Sequence, residues 1–169
     1  DKYSAQFGIE IVPVDAPDTL LDDVDVVLCA TSTNVELFDG SRLVAGQHVT
    51  GIIGSNKQLV QGGFLPRPRR EIDDNTAVKA DVIVTNLKES MVSEEQGDLY
   101  GPIQAGLIDI ADVYELGDLA TAAHPGRTSD GQITYHKNNN GTGSSEMAMA
   151  MTAYRRAREE GRGTEIDLG

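Results

Sequence analysis

The chain has 169 residues, of which 39% are hydrophobic, and its 27 acidic and 14 basic side chains give a formal net charge of −13. This length and composition suit one globular domain, and the acidity excludes a nucleic-acid surface, which needs a basic stripe for the phosphates. No apolar run reaches membrane-spanning length, and the single cysteine excludes an internal disulfide and favours a reducing compartment, so we predict a cytoplasmic protein without membrane contact.

The first elements in chain order are a helix and a strand. Residues 2–7 are typical of the end of a helix, which Gly8 closes, and the alternation of residues 9–14 predicts a strand. Turn residues then lead into a short helix over 19–23. Because the sequence opens within a helix, we expect it to be a fragment of a longer protein.

Two largely apolar runs, at 24–30 and 48–53, organise the rest of the chain. Such runs are typical of strands buried on both faces of a parallel sheet. Small residues follow each run, at 31–33 and at 54–56. Because ligands of open parallel sheets bind just beyond the carboxyl ends of the strands, we interpret the two ends as two walls of one cleft. Two ordinary strand-to-loop turns are an equally compatible alternative.

The middle of the chain continues the alternation of helices and strands. Residues 41–45 suit a helical turn, and two glycines and two prolines within 57–70 predict a loop, which is also the most basic part of the sequence. A helix over 71–79 and a third buried strand over 81–85 follow.

Three further helices are predicted, at 87–91, 99–106 and 116–123, with a segment at 108–115 that suits either a helix or an edge strand. Residues 132–137 alternate and predict a fourth strand, either parallel or at the edge. Strands that alternate with helices in this way define an α/β fold with a doubly wound parallel sheet.

The longest predicted helix spans 145–160 and has an apolar face. The residues of that face are Met147, Ala150, Met151, Tyr154 and Ala157. A stripe of methionine and alanine is more often tight helix packing than a cofactor site, so we interpret it as a packing surface.

The candidate metal ligands are scattered along the chain. Among His48, His124 and His136 no pair has metal-ligand spacing, so we predict no metal site. We interpret His48 as a packed core histidine and His124 as a loop residue, and the pattern leaves open whether His136 faces the cleft. Cys29 lies in an apolar strand, where burial raises the pKa of a thiol, and we predict it to be unreactive.

Short motifs in a fixed order carry a resemblance to a known family. They include Asp-Val-Val-Leu-Cys-Ala-Thr-Ser-Thr, Arg-Arg-Glu-Ile-Asp and Lys-Asn-Asn, and their positions are residues 25–33, 54–56, 69–73, 97–98, 115–117, 126–130, 133–134, 137–139 and 163–168. Through these motifs the chain resembles the carboxyl-terminal half of the ornithine cyclodeaminase/μ-crystallin family. Members of that family include NAD(P)-dependent cyclodeaminases, alanine dehydrogenases and ketimine reductases.

The resemblance implies a Rossmann domain joined to a dimerisation domain. Residues 1–143 would be the second part of the NAD(P)-binding Rossmann domain, and residues 144–169 a helix and tail that return to the dimerisation domain of a homodimer. In the family the dinucleotide fingerprint and the substrate-binding Arg and Lys lie upstream, and this sequence contains no G-x-G-x-x-G. The resemblance therefore implies NAD(H) or NADP(H) as cofactor, a small amino or imino acid as substrate, and an incomplete enzyme in this chain alone.

The resemblance also assigns site residues one by one. Cofactor contacts fall on Thr31, Ile53, Gly54, Ser55, Asn56, Arg69 and Asn138. Asn139 would touch the substrate, and Asn56 would occupy the catalytic position.

Asn56 is a departure from the family pattern, in which the cyclodeaminases and alanine dehydrogenases have a proton-shuttling Asp at this position. An amide can orient a substrate by hydrogen bonding but cannot take its proton. This favours a ketimine reductase or amino acid dehydrogenase, because there the cofactor carries the hydride. The alternatives are ornithine cyclodeaminase proper, a non-catalytic binding protein of the μ-crystallin kind, and a fragment that scaffolds a partner chain.

The loop at 57–68 is a second departure, because the family usually has only a few residues there. Its place beside the predicted nicotinamide cleft suits a cap, an altered substrate choice or a tolerated surface insertion.

Overall fold

The computed structural model describes residues 2–54, 57–138 and 143–166, apart from the side chains of Asp18 and Ser144. In this part of the chain five strands form one parallel sheet with helices between them, so the predicted α/β fold with a parallel, Rossmann-type sheet is confirmed. The chain divides into two compact units, residues 1–139 and residues 140–169.

The sheet occupies the first unit. Its strands are β1 (Val26–Cys29), β2 (His48–Gly51), β3 (Val82–Thr85), β4 (Val113–Glu115) and β5 (Thr134–Lys137). They lie in the order β1-β2-β5-β3-β4, so the last strand returns to the middle of the sheet. Because crossovers between parallel strands are right-handed, the connection from β4 to β5 crosses the face opposite to the other connections. The sheet is therefore doubly wound.

Seven α-helices lie in the described residues: α1 (Lys2–Phe7), α2 (Lys57–Gln61), α3 (Asp74–Lys79), α4 (Lys88–Ser93), α5 (Gly97–Gln104), α6 (Leu116–Ala120) and α7 (Gly143–Glu159). Three short 3-10 turns add to them: Pro17–Leu21, Gly40–Arg42 and Ile110–Asp112. No described helix is both long enough and apolar enough to cross a membrane.

One face of the sheet is buried across all five strands, and on β4 this face carries Val113, the register partner of Ile83. Val27, Val49, Tyr135 and Ile83 lie in register on that face, and each is less than one-tenth exposed. All four residues of β3 are buried, whereas β1 alternates between exposed and buried residues. The core therefore lies under one face of the whole sheet and under the other face only around β3.

Residues 9–14, predicted as a strand, are irregular. They pair with none of the five described strands, and their large apolar side chains are exposed. The Ile11 amide instead donates a hydrogen bond to Ser4 Oγ at 3.1 Å. A strand needs a neighbouring ladder, so alternation alone was insufficient and the prediction was wrong.

Part of the segment predicted as a loop forms helix α2. Gly63 has a φ of 75°, and the amides of Gly63 and Phe64 donate to the carbonyls of Val60 and Leu59 at 3.0 and 2.8 Å. This is a glycine-terminated helix end. The glycines mark where a helix stops, so the loop prediction was wrong for Lys57–Gln61.

The helix predicted over 71–79 begins only at Asp74. Asp73 caps it by accepting a hydrogen bond from the Thr76 amide at 3.0 Å. Glu71 and Ile72 precede the cap, outside the helix and fully buried. The prediction was wrong for these residues because Asp73 fixes the helix start and Glu71 has buried partners, described below.

Strand pairing resolves two alternatives that the sequence left open. The segment at 108–115 contains the third 3-10 turn and then β4, which pairs in parallel with β3 at the edge of the sheet. β5 lies between β2 and β3, so it is an internal parallel strand.

The second unit contains α7 and the tail that follows it. Gly161, with a φ of 62°, ends the helix, and the Arg162 amide donates to the Ala157 carbonyl at 2.7 Å. On the apolar face Met147 and Tyr154 are 63% and 53% exposed. The interpretation of this face as a surface that packs on a dimerisation domain therefore stays a prediction.

Candidate functional site

The carboxyl ends of β1 and β2 lie side by side. Cys29 and Gly51 are register partners at the last position of the two strands, and the Ile52 amide donates to the Cys29 carbonyl at 3.2 Å. The small residues predicted to form two walls of a cleft therefore begin from neighbouring points on the same edge of the sheet, the edge at which open parallel sheets bind ligands.

The carboxylate of Glu71 joins these two strand ends. Its Oε2 accepts hydrogen bonds from the amide and the hydroxyl of Thr31, at 3.1 and 2.8 Å. Its Oε1 accepts from the amides of Ile52 and Ile53, at 2.8 and 2.9 Å. Glu71 is fully buried, and four converging donors compensate for the desolvation of its charge. One side chain therefore fixes both ends.

Asp98 holds the backbone from which Glu71 extends. Its Oδ1 accepts hydrogen bonds from the amides of Glu71 and Ile72 at 3.0 and 3.3 Å, and its Oδ2 accepts from Lys137 Nζ at 2.9 Å. Burial raises the pKa of the Asp98 carboxyl, and the Lys137 ammonium and the two amide donors oppose that shift. These bonds favour the charged form, as expected for a buried carboxylate with a partner cation.

Lys137 brings a third strand end into the network. It is the last residue of β5, it is fully buried, and its Nζ also donates to the Ile53 carbonyl. The ends of β1, β2 and β5 are therefore joined beneath the carboxyl edge by three buried charged side chains, which we call the carboxyl-edge network: Glu71, Asp98 and Lys137.

The structure limits how two of the predicted cofactor residues can contact a ligand. The Thr31 hydroxyl donates to Glu71 and accepts from the Thr33 amide at 3.3 Å, so it is already engaged. The Ile53 amide and carbonyl are both bonded inward, to Glu71 and to Lys137. Thr31 can therefore offer its carbonyl and methyl group, and Ile53 acts mainly by setting the direction of the chain that follows.

Gly54 is a residue of this edge with room beside it among the described residues. It is exposed, and a Cβ added to it would meet no described atom within 4 Å. Gly51, the last residue of β2, is the opposite case, because its added Cβ would lie 2.5 Å from Ile72 Cδ1. The chain thus passes from a tightly packed glycine to an open one as it leaves β2.

The remaining predicted site residues are less completely placed. Arg69 is half-buried, and its Nε has no hydrogen-bond partner in the described part of the chain. Asn138 follows β5, where its amide donates to the Gly51 carbonyl at 2.9 Å and its side-chain oxygen accepts from Asn86 at 3.0 Å. Ser55, Asn56 and Asn139 lie outside the described residues.

Sequence reasoning gave no functional role to the three members of the carboxyl-edge network. The sequence pattern predicts Glu71 inside a helix, and Asp98 and Lys137 contribute only to the motifs that resemble the family. One signal was available for Lys137, because the alternation of residues 132–137 puts it on the same face as the buried Tyr135. Nothing comparable marks the other two, since their partners are distant in sequence.

Two further hollows lie away from this edge. A cavity of about 250 Å³ between the sheet and α6 is lined by His48, His136 and several apolar side chains, and His48 Nδ1 lies 2.7 Å from Thr134 Oγ1. A shallower hollow of about 830 Å³ lies at the amino ends of the strands, where Arg127 donates to the Gly46 carbonyl at 2.7 Å. His136 thus lines a cavity on one face of the sheet. Among the described residues no cluster of His, Cys, Asp or Glu is suited to a metal ion.

The parallel sheet, its order and its joined carboxyl edge define a protein of the Rossmann class. The chain belongs to the ornithine cyclodeaminase/mu-crystallin family, whose model matches residues 1–161. The resemblance found in the sequence is thereby confirmed.

Individual relatives agree with this assignment. A Delta(1)-pyrroline-2-carboxylate reductase of Bacillus cereus is 30% identical over 149 residues, which cover 88% of this chain and 42% of the relative. The solved Thermococcus litoralis Delta(1)-pyrroline-2-carboxylate reductase, in complex with NADH and L-proline, matches with a TM-score of 0.82 and 26% identity over 96% of this chain and 47% of its own. A probable ornithine cyclodeaminase from Bordetella pertussis matches with a TM-score of 0.76 and 30% identity over 97% and 49%. The chain spans a little under half the length of these proteins.

Proposed function

We propose that the whole protein is an NAD(P)-dependent oxidoreductase that reduces a cyclic imino acid or oxidises the corresponding amino acid. In this proposal the carboxyl edge of β1, β2 and β5 forms one wall of the dinucleotide site. The observation that carries it is the Glu71 carboxylate, whose four hydrogen bonds fix two strand ends at the edge where such sheets bind nucleotides. The relatives with imine reductase activity in their names support the same reaction class.

The described residues fit one wall of a nicotinamide dinucleotide site. Gly54 leaves open space where a side chain would stand, and Thr31 and Gly54 are both exposed, so a flat ring can approach the backbone there. The sequence has no G-x-G-x-x-G, and in this proposal that motif lies elsewhere in the whole protein. The residues that would line the cofactor are Thr31, Ile53, Gly54, Ser55, Asn56, Arg69 and Asn138, with Asn139 toward the substrate.

Bound NAD(H) or NADP(H) would supply the hydride transfer, and the protein would supply position. Asn56 is the residue proposed at the catalytic position, and its amide can orient a substrate without exchanging a proton. This supports reduction or oxidation over cyclodeamination. Ornithine cyclodeaminase proper and a non-catalytic nucleotide-binding protein are the rival functions, and a chain that scaffolds a separate partner is a third.

We further propose that residues 1–143 complete a Rossmann domain whose first part lies elsewhere in the protein, and that residues 144–169 return to a dimerisation domain of a homodimer. The exposed methionines of α7 support this, because an apolar helix face in water favours burial against a partner. A cytoplasmic location remains a prediction from the single cysteine.

The test is turnover by the whole protein. NADH or NADPH is mixed with pyrroline-2-carboxylate, and the loss of the reduced nicotinamide absorbance is followed, with ornithine as a second substrate and Asn56→Asp as a parallel variant. We expect consumption of the reduced cofactor with the imine, no product from ornithine, and a gain of ornithine turnover in Asn56→Asp. Cofactor binding without turnover of either substrate would favour the binding protein, and ornithine turnover by the natural sequence would favour the cyclodeaminase.

A further inference from the structure

We infer that Glu71 is a positioning residue, which holds the ends of β1 and β2 in the proposed wall of the dinucleotide site. Asp98 and Lys137, which are also buried, hold Glu71 and Ile53 in place. This inference rests on the proposed function for its meaning, although its structural part can be tested without any nucleotide. It assigns a role to a buried charge cluster that lies under the edge of the sheet and touches no solvent.

The argument starts from how the four donors are divided. One oxygen of the Glu71 carboxylate serves the β1 end, through Thr31, and the other serves the β2 end, through Ile52 and Ile53. The relative placement of the two strand ends is therefore set by the width and orientation of a single carboxylate. A shift of that group moves both ends together, and loss of one oxygen releases one end.

The backbone of Glu71 is itself held on two sides. Its amide donates to Asp98 at 3.0 Å, and its carbonyl accepts from the Leu37 amide at 3.0 Å. A Cβ on Gly51 would lie 3.3 Å from Glu71 Oε1, so β2 ends directly against the carboxylate. Since a close-packed interior leaves little room for a side chain to adjust, the contacts around the carboxylate hold it in this position.

The Ile53 peptide connects the Glu71 carboxylate with Gly54, on the side where the ligand would bind. Its amide is bonded to Glu71 and its carbonyl to Lys137, so the orientation of the chain as it enters Gly54 is fixed from beneath. A Cβ added to Gly54 would meet no atom of the described residues within 4 Å. Affinity for a ring placed against Gly54 should therefore depend on Glu71 even though Glu71 cannot touch the ring.

Glu71→Gln is the informative change because it keeps the volume of the side chain and replaces one of its two acceptor oxygens with an NH₂ donor. The new NH₂ group would face either the Thr31 amide or the Ile52 and Ile53 amides, and two N–H donors cannot bond to each other, although the Thr31 hydroxyl can rotate to accept. At one strand end the backbone amides therefore lose their acceptor. Asp73→Asn is a matched control, since the Asp73 carboxylate lies two residues away and also accepts three bonds, from Gly40 and from the amide and hydroxyl of Thr76.

The first experiment is amide hydrogen exchange by NMR on the full chain, without nucleotide. We expect Glu71→Gln to speed exchange at Thr31, Ile52 or Ile53 about tenfold or more, whereas Asp73→Asn speeds exchange at Gly40 and Thr76 and leaves the strand ends unchanged. Equal effects of both variants at the strand ends, or none from Glu71→Gln, would overturn the inference.

A second pair of variants covers the case in which Glu71→Gln does not fold. Thr31→Val removes the hydroxyl that donates to Glu71, and Thr31→Ser retains it. If one carboxylate couples the two ends, Thr31→Val should shift the Ile52 and Ile53 amide signals, and Thr31→Ser should restore them. Unchanged Ile52 and Ile53 signals in Thr31→Val would count against the coupling.

The last measurement joins the inference to the proposed function. NADH is titrated into the whole protein, with affinities corrected for the folded fraction of each variant. We expect Glu71→Gln to weaken NADH binding about tenfold and to raise KM for NADH more than it lowers kcat, while Asp73→Asn keeps the natural affinity. Equal weakening by both variants would overturn the positioning role. If the natural protein binds no NADH, the proposed function fails, and the exchange experiment still decides whether Glu71 couples the strand ends.

Discussion

Lys137 and Asp98 form an ion pair, with Nζ and Oδ2 2.9 Å apart, and both side chains have no solvent exposure. The pair connects the end of β5 with the first turn of α5, and the same ammonium group bonds the Ile53 carbonyl. A buried pair of this kind contributes little to stability compared with apolar residues of the same shape, but it is costly to break. It is therefore better understood as a device that specifies position than as a source of stability.

Breaking this pair should destabilise the fold strongly and non-additively. Lys137→Met removes the cation bonded to the buried Asp98 carboxylate and leaves it only Arg70 Nε, at 4.0 Å, so we expect a loss of about 3–5 kcal/mol in the free energy of unfolding. Asp98→Asn in the same chain removes that buried charge, so the double variant should lose less than the sum of the single variants. Urea unfolding of the four chains measures this coupling, and strictly additive losses would show that the two groups do not interact.

Substitution by alanine should destabilise the protein at Gly51, the last residue of β2, but have little effect on stability at Gly54. Gly51→Ala places a methyl group 2.5 Å from Ile72 Cδ1, in a side chain that is fully buried, and overpacking of this kind costs about 1–3 kcal/mol. Gly54→Ala meets no described atom within 4 Å, and its stability should change by less than about 0.5 kcal/mol. Thermal unfolding compares the two.

The Gly54→Ala variant also tests the proposed wall of the dinucleotide site. Gly54→Ala should weaken NADH binding by the whole protein at natural stability, because the methyl group occupies the open space against which the ring would lie. Natural affinity in a folded Gly54→Ala protein would place the cofactor elsewhere.

The strands of the sheet could be predicted because apolar strand segments leave a local mark, although only β3 is buried on both faces and the expectation of two-sided burial was wrong for β1, where Val26 and Leu28 are exposed. β1, β2 and β3 each lie in a largely apolar run, and β5 alternates as a strand with one covered face should. The alternation at 9–14 is just as regular, yet it forms no strand, because pairing depends on a neighbour that local sequence does not reveal.

The candidate site was only partly predictable for the same reason. Thr31 and Gly54 were identified because small residues after a buried strand are a local signal. Glu71 was not, since its partners lie 18 to 40 residues away along the chain. A charged residue within an ordinary polar segment has no pattern that distinguishes a solvent-exposed position from a buried one.

Cys29 should be unreactive in the folded protein. Burial, with the nearby Glu71 charge as a second cause, raises the pKa of its thiol from 9.0 to about 12, so the thiolate fraction at pH 8 falls about a thousandfold. A chromogenic disulfide reagent should therefore react slowly with the native chain and rapidly in urea. Rapid reaction without denaturant would contradict the burial of this strand.

The two histidines that line the cavity under α6 should make stability fall on mild acidification. Burial lowers the pKa of His48, with Arg127 adding to the shift, and burial likewise lowers the pKa of His136, with His48 and Lys137 adding to it. Above pH 6.5 both rings are neutral in the folded and unfolded states, and their contribution to stability is complete. As the pH falls below 6.5 the unfolded chain takes up protons first, so the free energy of unfolding decreases until the folded-state pKa values are reached. Urea unfolding between pH 8 and pH 5 should show this loss, and His48→Gln with His136→Gln should flatten the profile in that interval. A variant profile parallel to the natural one would assign the acid sensitivity to other groups.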